Sequence, residues 1–441
     1  MLSVRNLAWL WRDILLLALT AMLAGCGTAP PPSMPTSIPQ EPVTLRFGYY
    51  TNMADYEPLA EEFHELHPHI TVELVTAFID GQRTALEVLD GADLDVIRWG
   101  TDYLAPERRE RLSSLPRTAS SLSADMYPGA MEALQVDGIQ WGVPAGIDLA
   151  VAYYAPLFFQ EAQATPPTAG WTLDDLVAAA DAINDIADTV YGFCSTPDDG
   201  HIFIFTELFG GRVFDDLQHP TRPTLNMPAN AEAIWWYASL RQEYGVIPDP
   251  DEFQRRFAYE GVPMEGAVAG GACGLWFASY AERNGALWSG GRLAWGRETV
   301  MLPLPSGQET FNEAGVHGYY ILARSQHPQE AWEWISFLME HQEASGQMIP
   351  PRLSHINSEA YAARVGENVA QVARGLPDDL IIFGVDTVDE QVIGAITDLY
   401  VDVTERAVRG ELNSRDAVQS ALDDAQRQAE ELFLAGPGVS P

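Results

Sequence analysis

Not one lysine occurs in the 441 residues; all 25 basic residues are arginine. That absence excludes a phosphate-loop lysine, a protein-kinase lysine and Schiff-base chemistry. Positive charge is scarce as well, since 62 acidic residues leave a formal net charge of -37. Nucleic acid is excluded as a partner, because phosphate backbones are held by clustered lysine and arginine. Cysteine is limited to Cys26, Cys194 and Cys273, too few for a disulfide scaffold or a four-cysteine zinc site. Cys194 and Cys273 could pair once or remain buried thiols, and the sequence leaves both open. Apolar residues are not lacking. At 47 % they exclude a disordered acidic chain, and the length allows two or three domains with real cores.

No apolar run near the amino terminus is long enough to span a bilayer. Ile14 to Leu23 is ten residues, where about 20 are needed. Arg5 and Arg12 precede it, and it ends in Leu23-Ala24-Gly25-Cys26. This resembles the bacterial lipoprotein signal. The resemblance implies that residues 1–25 are cleaved and that the Cys26 thiol carries lipid, anchoring the protein to a membrane. Gly27 to Pro42 holds six prolines and reads as an extended stalk, so that 26–42 is a lipidated linker.

From Val43 the pattern alternates between strand and helix periods. Val43–Tyr49, Ile70–Val75 and Leu94–Trp99 read as strands. Leu59, Phe63 and Leu66 mark a helix between the first two, and a second helix is expected around Gln82–Leu89. Such an order predicts a parallel α/β unit with ligand groups at the carboxyl ends of strands, where Tyr49, Tyr50, Trp99 and Asp102 stand. Leu149–Tyr154 reads as a crossing strand and Gly270–Trp276 as a short one. Helices are expected over Trp171–Ile183 (capped by Thr172), Ala229–Tyr244 and His327–Glu340, and from Asn413.

These segments resemble, in order and spacing, the extracellular solute-binding proteins of ABC importers, the family that contains the maltose-binding protein. The match runs through Leu45-Arg46-Phe47-Gly48-Tyr49, Leu94-Asp95-Val96, Asp137 to Pro144, Tyr153-Tyr154, Trp171-Thr172, Leu208 to Gly211, Gly315 to Gly318 and Pro328 to Trp334. The resemblance implies an α/β periplasmic-binding-protein fold, two lobes joined by a hinge around a ligand cleft. Lobe I is expected to hold 43–147 and about 303–358, lobe II 148–302 and about 359–441, with the last helices on either lobe. It further implies a monomer without catalysis, cofactor or metal, which passes a mono- or oligosaccharide to the membrane permease. A polyol phosphate or other polar solute is the alternative within the fold, and a secreted carbohydrate-active enzyme the alternative outside it.

Sugar recognition needs aromatic faces and hydroxyl acceptors in one cleft. On that chemistry and the resemblance, the candidate ligand residues are Tyr49, Tyr50, Trp99, Asp102, Asp148, Trp276, Tyr319, Tyr320 and Arg352. Trp276 is expected to be the main stacking residue. Asp148 is expected either to touch ligand or to hold the hinge by a hydrogen bond. Of Tyr49 and Tyr50, one should face the cleft and one away, since strand neighbours alternate. Glu207 and His201 are weaker candidates. Ala155 departs from the asparagine usual in relatives. His64-Glu65-Leu66-His67 misses zinc spacing by one residue, and Trp235-Trp236 reads as helix packing.

Overall fold

The computed structural model describes residues 41–50, 55–77, 89–116, 122–184, 186, 189–217, 219–257, 263–288, 291–377, 380–382 and 390–436. The signal segment, Cys26, nearly all of the proline-rich stretch and most of the helix expected around Gln82–Leu89 lie outside them.

Nine strands form one mixed sheet: β1 (Val43–Tyr50), β2 (Ile70–Ala77), β3 (Val96–Gly100), β4 (Gly142–Tyr154), β5 (Tyr191–Cys194), β6 (Cys273–Ser279), β7 (Val300–Leu302), β8 (Glu313–Ile321) and β9 (Ile381–Ile382). Their order is β2-β1-β3-β8-β4-β6-β5, with β7 on β4 and β9 on β8. β1 runs parallel to β2 and β3, as the α/β pattern predicts. The helix between β1 and β2 spans Glu57–Leu66 and buries Leu59 and Phe63, whereas Leu66 is 63 % exposed. Leu59 and Phe63, with Phe47, Trp334 and Ile335, belong to one hydrophobic core between β1 and the helix Pro328–Glu340.

β4 is the organising element. Its first part pairs with β8 up to Leu149 opposite Ala314. From Ala150, opposite Ser279, it pairs with β6, and its last three residues pair with β7 on the other edge. One continuous strand therefore belongs to two groups of strands and changes partners at residues 148–150. β5 and β6 run parallel beyond it, joined by a disulfide between Cys194 and Cys273. Two buried cysteines on neighbouring strands thus settle as a bridge what their spacing left open.

The helix Leu173–Asn184 packs directly on β5. A Cβ at Gly192 would fall 2.0 Å from the Ala180 carbonyl oxygen, so only glycine fits there. The helix starts where expected: Thr172 Oγ1 accepts from the Asp175 amide, and the Asp175 carboxylate accepts from the Thr172 amide. The last helix spans Arg415–Ala435 and is capped by Ser414 rather than Asn413. It packs, with the helix Glu390–Val408, against Pro228–Gln242. Hydrogen bonds from Tyr400 to Thr206 and from the Leu225 amide to Gln426 fix them there, on the β5–β6 side.

Arg98 is the one arginine among the largest fully buried side chains. It donates to Tyr56 Oη (2.7 Å), to the Ser345 carbonyl (2.9 Å) and to the Ala344 carbonyl (3.2 Å). Its role is to stitch β3 to the turn after Glu340, not to meet ligand.

Candidate functional site

A cavity of about 770 Å³ opens at the carboxyl ends of the parallel pair β5 and β6, the position α/β geometry favours for ligands. β6 supplies Trp276, Phe277, Ala278 and Ser279. β4 supplies Asp148 to Ala150, at its change of partner, and β8 supplies Glu313 to Gly315. The turn Thr196–Gly200, the start of the helix His201–Leu208, the helix Pro263–Ala269 and the side chains of Trp295 and Phe311 complete the wall.

Trp276 lies opposite Tyr153 across the β4–β6 ladder and stacks on it, with centroids 5.7 Å apart and planes at 14°. Trp295 meets it edge-on at 5.5 Å. The sequence pattern (Gly274-Leu275-Trp276) places this indole on the cavity floor, but it is only 1 % exposed, so it is a core residue as well. Its indole N–H and that of Trp295 find no acceptor among the described residues.

Asp148 lines the cavity and is fully engaged: Oδ2 accepts from Ser279 Oγ (2.5 Å), and Oδ1 from the Leu149 and Ala281 amides (3.1 Å each). Burial pushes its carboxyl up, against these bonds and Arg283. Both readings of this residue therefore meet in one place, since it borders the cavity and ties the strand crossing to β6.

A polar cluster that sequence reasoning weighed only lightly stands beside them. His201 Nδ1 is 2.9 Å from Ser195 Oγ and 3.2 Å from Asp199 Oδ2, while Nε2 meets the Phe277 carbonyl at 3.1 Å. Hydroxyl and carboxylate share the same ring nitrogen and the other faces a carbonyl. A nucleophile relay needs them on opposite nitrogens. The signal was legible as Thr196-Pro197-Asp198-Asp199-Gly200, a capping box before an apolar run; the Thr196 amide donates to Asp199 at 2.6 Å.

The other candidates fall elsewhere. Tyr49 enters the core of β1, stacked near Phe47, and burial pushes its hydroxyl up to about 12. Tyr50 faces the other way and meets Trp99 edge-on at 6.3 Å; the Trp99 indole donates to Asp102 at 2.9 Å. Tyr50, Trp99 and Asp102 thus form a second, half-buried group at the ends of β1 and β3, and none of them lines the cavity. Tyr319 and Tyr320 do not reach a cleft. β8 has strands on both edges, and helices and loops cover its faces, so both rings are buried. Tyr319 donates to the Ala344 carbonyl and contacts Tyr56, and Tyr320 donates to the Gly100 carbonyl. Arg352 is also turned away. It bonds Asp125 (2.9 Å) and Glu340 (2.5 Å), which hold its guanidinium charged against partial burial. Arg352→Gln should lower stability by about 1 kcal/mol in urea unfolding and leave ligand affinity unchanged; a large affinity loss would return Arg352 to the site.

His317, opposite Gly100 on β8, is held neutral: burial first, then Arg98, pushes it down to about 3. In the unfolded chain it titrates near 6.5. Below that pH the unfolded state takes up a proton that the fold refuses, so stability is lost progressively from about pH 6.5 towards 3. The melting temperature should fall through that window, and His317→Gln should flatten the fall.

Comparison with known proteins follows the same lines. A sequence profile described as bacterial extracellular solute-binding protein matches residues 48–344. Among curated proteins none matches in sequence. Among solved structures, the ABC substrate-binding protein of Listeria monocytogenes in complex with cycloalternan has a TM-score of 0.68 at 16 % identity, covering 88 % of this chain and 99 % of that one. The sugar-binding protein of Xanthomonas citri gives 0.66 at 20 % identity, covering 89 % and 98 %. An Agrobacterium radiobacter K84 solute-binding protein in complex with ribitol gives 0.61 at 21 % identity, covering 90 % and 100 %. At such identities these likenesses speak to the fold.

Proposed function

The chain belongs to the bacterial extracellular solute-binding protein family, and from that premise we propose that it binds a mono- or oligosaccharide in the cavity over Trp276. It would deliver this ligand to the transmembrane subunits of an ABC permease, as a monomer that catalyses nothing. The observation that carries the reading is the composition of the cavity wall. Trp295 and Phe311, both partly exposed, offer apolar ring surface over the floor of Trp276 and Phe277, beside carboxylates that accept hydroxyls. The change of partners along β4 supports a pivot at residues 148–150 between a lobe of 43–147 with about 303–358 and a lobe of 148–302 with about 359–441. Lipid on Cys26 would hold the protein at the outer face of the membrane; no helix among the described residues is long and apolar enough to cross one.

A polyol phosphate is the weaker reading, because no arginine stands among the described residues of the wall. The His201 geometry likewise gives no support to a hydrolase. Thermal-shift screening of the exported part against mono- and disaccharides tests the reading, since a bound ligand raises the melting point by mass action. A shift with phosphorylated or amino-acid-like solutes but with no sugar would refute it.

A further inference from the structure

Three features of the cavity point beyond carbohydrate in general. First, six carboxylates line it: Asp148, Asp198, Asp199, Glu265, Glu282 and Glu313. Second, no arginine faces them among the described lining residues, and the only basic side chain, His201, has both ring nitrogens occupied. Third, the rings of Trp295 and Phe311, both only partly buried, line the same space.

These carboxylates are not equivalent. Asp148 and Asp199 are consumed by backbone and side-chain donors within the fold. Glu313 lies against Glu207, whose carboxyl is pushed up by burial and then by Glu313 itself. Asp198 and Glu265, in contrast, have no hydrogen-bond or ion-pair partner among the described residues. A neutral sugar hydroxyl is donor and acceptor at once. A wall of acceptors alone satisfies only half of it and leaves the negative charges uncompensated on closure. A protonated amine supplies three donors and the missing charge, and charge-assisted bonds of this kind are about twice as strong as neutral ones. The partly exposed Trp295 ring favours the same cation. The strongly acidic chain would also steer a cation towards the mouth.

We propose that the ligand is an amino sugar, free or within an oligosaccharide, whose protonated amine is taken by Asp198 and Glu265 while its ring lies against Trp295. This rests on the carbohydrate reading above and narrows it.

Isothermal titration of the exported part at pH 6.5 with matched pairs tests it: glucosamine against glucose, galactosamine against galactose, and fully deacetylated chitobiose against its diacetyl form and cellobiose. At least one amino sugar should bind about tenfold or more tighter than its neutral partner, as expected for exchanging a neutral for a charge-assisted bond. The preference should collapse in the double variant Asp198→Asn, Glu265→Gln. Circular dichroism and melting temperature of that variant report whether its fold is intact, and single variants serve if it is not. Equal or tighter binding of the neutral partners overturns the proposal and leaves the carbohydrate reading standing. Failure of every amino sugar to bind overturns it whatever else binds. If spermidine binds and no sugar does, the carbohydrate reading falls too.

Discussion

Trp276→Ala should weaken ligand binding by well over tenfold and, in the same variant, destabilise the fold by about 3–5 kcal/mol. The two effects have separate causes. Binding suffers because the indole is the aromatic element of the cavity floor. Stability suffers because the ring is only 1 % exposed and packed between Tyr153 and Trp295, so truncation leaves a hole that neighbouring strands cannot fill. Expected as the main stacking residue, Trp276 is also part of the core. Trp276→Phe separates the effects, since it keeps most of the packing and loses the indole N–H. Calorimetric titration beside urea unfolding reads both. Affinity that stays unchanged in Trp276→Phe, and changes in Trp276→Ala only in proportion to unfolding, would make the residue purely structural.

The second large effect concerns the bridge beneath that floor. Cys194 and Cys273 are 79 residues apart. Closing a loop of that size removes enough unfolded-chain entropy for about 4.5 kcal/mol of stability, a little above the typical range of about 2–4. Cys194→Ala with Cys273→Ala should lower unfolding free energy by that order, and reductant should lower the wild type to match once the bridge is opened by unfolding. A variant as stable as the wild type would mean that the bridge contributes nothing. The compartment fits the chemistry, because an exported chain meets an oxidising environment.

Much of the fold was legible because it rests on local pattern. Leu59 and Phe63 announce a helix face, and the Thr172–Asp175 box announces a helix start. The helix Glu390–Val408 was not legible. It carries Gly394 and a run of Val, Ile and Thr, poor helix formers that are held by packing on Pro228–Gln242 rather than by propensity. The site was half legible for a related reason. Family order located the segments that hold Trp276 and Asp148, but segment order does not say which way a side chain turns. Tyr319 and Tyr320 sit on a strand enclosed on both edges, and both went inward. Arg352 meets Asp125, 227 residues away, a partner no sequence window can show. The Asp198–Asp199 turn was in plain view, yet its place at the cavity depends on the parallel pairing of β5 with β6.

The bond from Ser279 to Asp148 has a mechanical meaning. Ser279 ends the strand that carries Trp276, and Asp148 sits where β4 leaves one group of strands for the other. Floor and strand crossing are thereby tied through this 2.5 Å contact and the Ala281 amide beside it. With the pivot proposed at residues 148–150, a solute that presses on the floor would work a short lever whose other arm is the angle between the two strand groups. Ser279→Ala would loosen that tie, leaving the Ala281 amide bond and every aromatic surface in place, so that occupancy of the cavity and the proposed closure around it would become separable events.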